Sequence, residues 1–319
     1  MKKIIPIILV IVLCLIIFQS RRQAIHSMKF FVMDTIVEIQ AKGEKKKADK
    51  AIRSAIKEIE RIDKHLGYNH STVSDLNNKH QINDPELYRL VDLSLEIEES
   101  SHGSFCLSLR PILDAWGFTG SHPQIPAPEI VEAWKNSRVD HPIDLGNADD
   151  SIRIKGGGSI DLGGIAKGYA TDMAAEAMMG QGIRTGLVNA GGDIRVFGTK
   201  TWHIGIKHPR AEGTLTTVDL KNRAIATSGD YERYFIDHGR RYCHILDPDT
   251  GYPANRYMSV TVIADRCVLA DAWATAIFAG GIEGMKTLLD KRGMEWVIID
   301  HDGRIRSSQK LAQYLPDHI

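Results

Sequence analysis

The stretch from Gly156 to Asp172 holds the residues best suited to binding an anion. It reads GGGSIDLGGIAKGYATD and combines a glycine-dense turn, Asp161, a second glycine pair and Lys167. The alternating lead-in at 151–154 predicts a strand, and the alanine-rich run at 169–179 predicts a helix. The stretch therefore predicts a glycine turn between a strand and the start of a helix.

Such a turn is a favourable place for a phosphate group. Backbone N–H groups can approach an anion where side chains are absent, and the helix N-terminus adds a favourable dipole. Lys167 would add a positive charge. The common nucleotide motifs are absent, because Gly168 follows Lys167 where GxxxxGK[ST] needs Ser or Thr, and the glycines do not fall as GxGxxG. A tight structural turn with a surface lysine is the alternative.

A second candidate site is the pair Asp271 and Thr275. The two residues lie four apart on a predicted helix, and therefore on one face of it. A carboxylate and a hydroxyl are hard oxygen ligands, which suit Mg²⁺ better than a soft metal. An acid near a helix N-terminus beside an unrelated threonine would explain the pair without a metal.

A third candidate is His244, in the segment RYCHILDPDTGYP. The composition of DPDTG predicts a turn, and a histidine just before it could act as a general base because its pKa lies near working pH. The chain has thirteen histidines, so a surface or structural role is the alternative.

Hydrophobic periodicity places these residues among early helices and late strands. Helices are predicted at 44–66, 85–100, 126–136, 169–179, 268–279 and 284–291. Strands are predicted at 28–41 (interrupted by Met33-Asp34-Thr35), 151–154, 185–189, 193–198, 202–207, 214–219, 224–227, 258–264 and 296–299. Residues 66–78 are predicted to form a polar loop. This order argues for an α+β fold with two intertwined subdomains, and against alternating βαβ units.

Composition limits the class of protein. The chain has 319 residues, 43% hydrophobic and 25% charged, which suits one large globular domain or two modest ones. Lys+Arg and Asp+Glu are both 40, so no basic field indicates nucleic acid binding. The cysteines at 106, 243 and 267 lack CxxC spacing, so we expect buried free thiols and no zinc site. One disulfide in an oxidising compartment is the alternative.

The N-terminus differs from the rest. Lys2 and Lys3 precede the apolar run 4–18, which has the length of a signal h-region, and Arg21 and Arg22 follow it. We expect an uncleaved signal-anchor over residues 1–27 that tethers a globular domain, 28–319, to the cell membrane on its extracytoplasmic side. A cleaved signal peptide and a lipid-anchored Cys14 are the alternatives.

Several segments, taken together and in order, resemble the ApbE family of FAD:protein FMN transferases. They are MDT, the Tyr68-Asn69 loop, PILDAWGF, IDLGGIAKGYATD, NAGGDI, TSGDY, HILDPDTG and DAWATA, and they cover nearly everything from Met28 onward. The resemblance implies an ApbE-like (T-fold-like) α+β fold. It also implies an enzyme that binds FAD and Mg²⁺, breaks the pyrophosphate and attaches FMN through a phosphoester to a Thr or Ser of a partner protein, with release of AMP.

The resemblance also implies a role for individual residues. His244 matches the catalytic histidine, and the residues that would contact FAD are Met33, Tyr68, Ser104, Phe105, Cys106, Asp161, Lys167 and Ile245. Asp271, Thr275 and the Gly164 carbonyl would hold Mg²⁺. Cys106 stands where the family commonly has Asp, so we expect a backbone contact there. Ala274 stands where some members have a second acid, which favours a single metal ion.

Two other functions remain open at this point. The same site could hydrolyse FAD to FMN and AMP, with water in place of the acceptor hydroxyl. A surface flavin-binding protein without turnover is the third possibility, although a general base would have no purpose there. The acceptors implied by the resemblance are membrane redox subunits or extracytoplasmic flavoproteins.

Overall fold

The computed structural model describes residues 24–139, 141–146 and 148–312. The described helices are α1 Lys45–Leu66, α2 Thr72–Lys79, α3 Pro85–Ser100, α4 Arg110–Ala115, α5 Pro128–Ser137, α6 Ala166–Gly180, α7 Cys267–Gly280, α8 Lys286–Lys291 and α9 Gln309–Ala312. The described strands are β1 Ile25–Val32, β2 Thr35–Lys42, β3 Gln81–Asn83, β4 Ile143–Gly146, β5 Ser151–Ile154, β6 Gly186–Ala190, β7 Asp193–Phe197, β8 Trp202–Lys207, β9 Thr214–Leu220, β10 Ala224–Gly229, β11 Tyr234–Asp237, β12 Arg240–Cys243, β13 Tyr257–Ala264, β14 Glu295–Asp300 and β15 Ile305–Ser307. The expected α+β class is confirmed.

The fold is built on an eight-stranded sheet in the order β1-β2-β6-β7-β10-β13-β14-β15. Every neighbouring pair in it is antiparallel. Strand alternation sends neighbouring residues to opposite faces, so Val262 packs among the helices while Ile263 packs against β8 and β9. All eight residues of β13 are buried, because helices cover one face of the sheet and the β8–β9 hairpin covers the other.

Helices α6 and α7 approach each other closely beside this sheet. A Cβ on Gly168 would collide with the Cys267 carbonyl oxygen and would lie 2.7 Å from the Asp271 Cβ. Glycine at this position therefore lets the two backbones meet, and the Gly168 N–H donates a 2.9 Å hydrogen bond to Asp271 Oδ2. This contact fixes the helix that carries Lys167 against the helix that carries two of the predicted metal ligands, Asp271 and Thr275.

Several predicted elements differ from the structure. The strand predicted over 28–41 is a hairpin, whose turn places Met33 and Asp34 at φ of 53° and 56°. The polar loop predicted over 66–78 was wrong in part, since α2 begins at Thr72 after a capping box made by Ser71 and Ser74. The box signature has Glu or Gln at its third position, so a serine there gave no signal.

The two glycine turns of the 156–172 stretch have different roles. Gly156 and Gly157 have φ of 66° and 69°, and a Cβ on Gly156 would meet the Val139 side chain. Neither residue lines the cavity described below. The second pair, Gly163 and Gly164, lines the cavity. The anion-binding prediction therefore applies only to the second turn.

The membrane anchor predicted over residues 1–27 falls almost wholly on residues 1–23, which lie outside the described residues. Within the described part of the chain, no helix is both long and apolar enough to cross a membrane. Cys106, Cys243 and Cys267 are buried free thiols, as expected.

Candidate active site

A single large cavity of about 1030 Å³ brings the predicted site residues together. All twelve of them line it, from Met33 in the first hairpin to Thr275 on α7. Its volume lies at the upper end of the range for small-molecule sites, which suits a dinucleotide-sized ligand.

His244 directly follows β12 and is half-buried in the cavity wall. Its Nδ1 lies 3.1 Å from the Arg233 carbonyl oxygen. A carbonyl oxygen can only accept, so Nδ1 carries the proton and Nε2 of the neutral ring keeps its lone pair. Burial and the positive charge of Arg233 lower the pKa of His244 to about 4. The ring is therefore neutral at physiological pH and able to accept a proton at Nε2.

Lys167 lies in the first turn of α6, with its Nζ 2.6 Å from Asp193 Oδ2. The Asp193 side chain is only 2% exposed, whereas 29% of the lysine side chain is open to solvent. Burial opposes the charged form of Lys167, but the charges of Asp193 and Asp271 outweigh it and raise the pKa. The cavity therefore contains a fixed cation, as an anionic diphosphate requires.

Asp271 and Thr275 face the same cavity from one side of α7, as their spacing predicted. Burial and the nearby charge of Asp193 raise the pKa of Asp271 well above its usual range. Thr275 Oγ1 lies 3.2 Å from Ser228 Oγ. A Cβ on Gly164 would come within 3.4 Å of Thr275 Oγ1, so the glycine leaves space beside that hydroxyl.

Asp161 and Tyr68 form a polar group on another wall. Asp161 Oδ2 accepts a 2.9 Å hydrogen bond from the Gly163 N–H, while the buried Oδ1 has no partner within the described residues. The Arg110 guanidinium lies 5.2 Å from the centroid of the Tyr68 ring. Burial raises the pKa of Asp161. A buried acceptor without a hydrogen bond lowers the stability of the protein, and a ligand that donates to Oδ1 would remove this penalty.

The 104–106 segment, Met33 and Ile245 complete the predicted set of cavity residues. The Cys106 Sγ lies 3.4 Å from Ser108 Oγ, and burial raises the pKa of this thiol to about 11. The sulfur therefore contacts a side chain of the protein itself, and the backbone contact expected of Cys106 stays a prediction. Met33 holds a left-handed backbone conformation at the cavity edge, a strained state that functional sites often retain.

Three further cavity residues were not among the predicted site residues: Ser228, Glu232 and Arg233. Asp193, the partner of Lys167, was not predicted either. Asp193 and Ser228 belong to the segments NAGGDI and TSGDY, which contribute to the family resemblance but received no side-chain role from it. Glu232 and Arg233 follow directly in sequence, and burial raises the pKa of Glu232 to about 7. Only the folded chain shows that these residues face Lys167, Thr275 and His244.

Comparison with known proteins gives relatives named FAD:protein FMN transferase. A FAD:protein FMN transferase of Rhodobacter capsulatus is 32% identical over 239 residues, which cover 73% of this chain and 46% of the relative. The protein of the same name from Treponema pallidum is 30% identical over 247 residues, covering 70% of this chain and 68% of the relative. The chain thus spans about half the length of the first relative and about two thirds of the second.

Solved structures agree with these sequence matches. The ApbE protein of Thermotoga maritima superposes with a TM-score of 0.86 at 33% identity, over 92% of this chain and 100% of the other. The apo flavinyl transferase ApbE of Pseudomonas stutzeri gives a TM-score of 0.79 at 25% identity, over 93% and 98% of the two chains. The model of the ApbE family matches residues 33–298, so the chain belongs to the ApbE family.

Proposed function

We propose that this protein is a Mg²⁺-dependent FAD:protein FMN transferase, which moves FMN from FAD to a Thr or Ser hydroxyl of a flavoprotein and releases AMP. The observation that carries the proposal is the His244 ring. It is neutral, its Nδ1 proton is held by the Arg233 carbonyl, and it lines the same cavity as the Lys167 cation. The names of the relatives support the same reaction.

In the proposed reaction, His244 acts as the general base. Its Nε2 accepts the proton of the acceptor hydroxyl, and the hydroxyl oxygen attacks the phosphorus of the FMN half of FAD. A new P–O bond to the acceptor forms as the P–O bond to AMP breaks, and AMP leaves with the electron pair of that bond. Lys167 stabilises the negative charge of the phosphate groups throughout.

The residues present fit a Mg²⁺ ion. Gly164, Asp271 and Thr275 would offer a carbonyl, a carboxylate and a hydroxyl, all hard oxygens, and the missing side chain of Gly164 leaves space beside the hydroxyl. Within the described residues, no group of three His, Cys, Asp or Glu side chains could hold a metal by itself. The six oxygens that Mg²⁺ prefers would therefore include oxygens of FAD or water. The ion would neutralise charge on the pyrophosphate and the departing AMP.

The flavin contacts and the cellular setting complete the proposal. Met33, Tyr68, the 104–106 segment, Asp161 and Ile245 would hold FAD, and the unpartnered Asp161 Oδ1 would accept a hydrogen bond from it. The N-terminal segment would anchor the enzyme to the membrane, with the site on the extracytoplasmic side. A membrane redox subunit or an extracytoplasmic flavoprotein would then be within reach as acceptor.

The test uses the full-length protein in detergent, FAD, Mg²⁺ and an acceptor redox subunit purified without its flavin from cells that lack a flavin transferase. Flavin fluorescence of the denatured acceptor in a gel reports covalent transfer, and AMP release is followed in parallel. Fluorescent acceptor together with AMP is the expected result.

Other outcomes would replace the proposal. AMP and free FMN with a dark acceptor would indicate a FAD pyrophosphatase, and intact bound FAD would indicate a flavin-binding protein. In the His244→Ala variant we expect transfer to fall by about 10²–10⁴-fold, the usual contribution of a general base, with FAD affinity retained. Wild-type transfer by this variant would refute the assignment of the base.

A further inference from the structure

Arg233 and His244 contact each other at the two ends of the β11–β12 hairpin. Arg233 directly precedes β11, and His244 directly follows β12, so the two residues face each other at the open end of one hairpin. The Arg233 carbonyl oxygen accepts two hydrogen bonds from His244, one from the backbone N–H at 3.0 Å and one from Nδ1 at 3.1 Å. The backbone of Arg233 therefore fixes both the position and the tautomer of the histidine.

The side chain of Arg233 fastens this backbone to a distant part of the chain. Its Nη2 donates a hydrogen bond to the carbonyl oxygen of Phe118, 115 positions earlier. Phe118 is buried and packs against Trp116 and Phe235, with ring centroids 6.3 Å and 5.9 Å away. The anchor of the Arg233 side chain is thus a rigid aromatic cluster.

Phe118 also contacts the His244 ring directly. The Phe118 and His244 rings pack edge to face, with centroids 6.5 Å apart and an angle of 69° between their planes. Arg233, Phe118 and His244 therefore contact one another in three ways. The Arg233 side chain donates to the Phe118 carbonyl, the Phe118 ring packs on the His244 ring, and His244 donates to the Arg233 carbonyl. Each contact limits a different motion of the imidazole.

We propose that Arg233 is a positioning residue for the transfer reaction, holding His244 with Nε2 free toward the cavity through its own anchor on Phe118. The inference rests on the proposed function, because it assigns a task to the base of that reaction. The guanidinium is exposed to the cavity and also acts electrostatically on Tyr68, so it connects the flavin-contacting wall with the base.

Arg233 also has an electrostatic effect on the base. Two cations act on the His244 ring, Arg233 from the hairpin and Lys167 from α6, and both lower its pKa in addition to the effect of burial. Removing Arg233 would leave burial and Lys167 in place, so the pKa would move toward the ordinary value of about 6.5. The base would then be protonated in part at mildly acidic pH.

The test compares three variants at saturating FAD, with the full-length enzyme and the same flavin-free acceptor subunit. Arg233→Gln removes the charge and the guanidinium fork, Arg233→Lys removes only the fork, and Arg241→Gln is the control. Arg241 lies in the same hairpin, carries the same charge and does not line the cavity. Initial rates of acceptor labelling are measured from pH 5 to 8.5.

We expect Arg233→Gln to lose more rate at pH 5.5 than at pH 8, by at most about 10-fold. A base of the ordinary pKa of about 6.5 would give the full 10-fold, and burial and Lys167 keep the pKa of His244 below that value. Arg233→Lys should lose rate equally at all pH values, and it keeps the test valid if the glutamine variant does not fold. Arg241→Gln should follow the wild type.

A pH profile of Arg233→Gln parallel to that of the wild type would overturn the inference. The Arg233→Gln rates are also measured at low FAD. A loss found only at low FAD, with the wild-type rate at saturating FAD, would overturn the inference by assigning Arg233 to substrate binding. If the wild type itself labels no acceptor, the failure lies with the proposed function.

Discussion

Replacing Lys167 by methionine should expose the energetic cost of the buried Asp193 carboxylate. Methionine keeps most of the length of the side chain but leaves Asp193, 2% exposed, without the cation that lies 2.6 Å away. Breaking a buried ion pair from one side costs about 3–5 kcal/mol. Water reaches the lysine, whose side chain is 29% exposed, so we expect the lower end, about 3 kcal/mol.

Urea unfolding followed by tryptophan fluorescence measures this cost. For a chain of this size, a slope of about 3 kcal/mol per molar urea converts the loss into a midpoint about 1 M lower. Adding Asp193→Asn to the Lys167→Met variant should recover much of the stability, because the buried carboxylate that lost its directly bonded cation is then gone. The control Lys79→Met removes an exposed pair with Asp75 and should change the stability by less than about 0.5 kcal/mol.

Binding and stability should separate in this series. FAD affinity should stay low in the double variant, because the positive charge that faces the diphosphate is still missing. A Lys167→Met variant that unfolds at the wild-type midpoint would refute the reasoning, as would a double variant that is no more stable than the single one. Either result would mean that water already screens the Asp193 carboxylate.

Three further outcomes are expected. Acceptor labelling should stay constant from pH 8 to about 5 and fall with a midpoint near 4, because His244 must be unprotonated to act as base; a midpoint near 6.5 would contradict this. Gly168→Ala should lower the Tm by several degrees and the transfer rate more than about 10-fold, because its Cβ collides with the Cys267 carbonyl. The control is Gly180→Ala at the other end of α6, where an added Cβ meets no atom within 4 Å, and it should change neither the Tm nor the rate. Equal losses in the Gly168 and Gly180 variants would count against the packing argument. Thr275→Val should raise the Mg²⁺ concentration needed for half-maximal rate about 10-fold with little change in Tm, and an unchanged Mg²⁺ titration would remove this hydroxyl from the metal site.

The sequence was sufficient for most elements and for much of the site. A long amphipathic stripe locates α1, and the spacing of Asp271 and Thr275 on a helix places both on the face that lines the cavity. Short elements escaped because they lack such periodicity. The β11–β12 hairpin was missed for this reason, although it connects Arg233 to His244.

The partners of the site residues could not be predicted from the sequence. The sequence identifies Lys167 as a cation. Its pairing with Asp193 arises only when strand β7 packs beside helix α6 in the folded protein. The low pKa of His244 likewise comes from burial and from Arg233, neither of which has a local sequence signal. Residue type and order identify the chemical groups, whereas burial and distant neighbours determine their protonation.

The distances along the chain between contacting residues have a consequence for folding. The Gly168 N–H reaches Asp271, 103 positions later, and Arg233 reaches 115 positions back to Phe118. Closing such long loops costs chain entropy before the contacts form, and domains rich in distant contacts fold slowly. The lining residues come from segments between Met33 and Ala279, so the complete cavity forms only when these segments are assembled. Under the proposed function, FAD bound in the cavity would stabilise the folded state by mass action, so the folded fraction of newly made chains would rise with the FAD concentration.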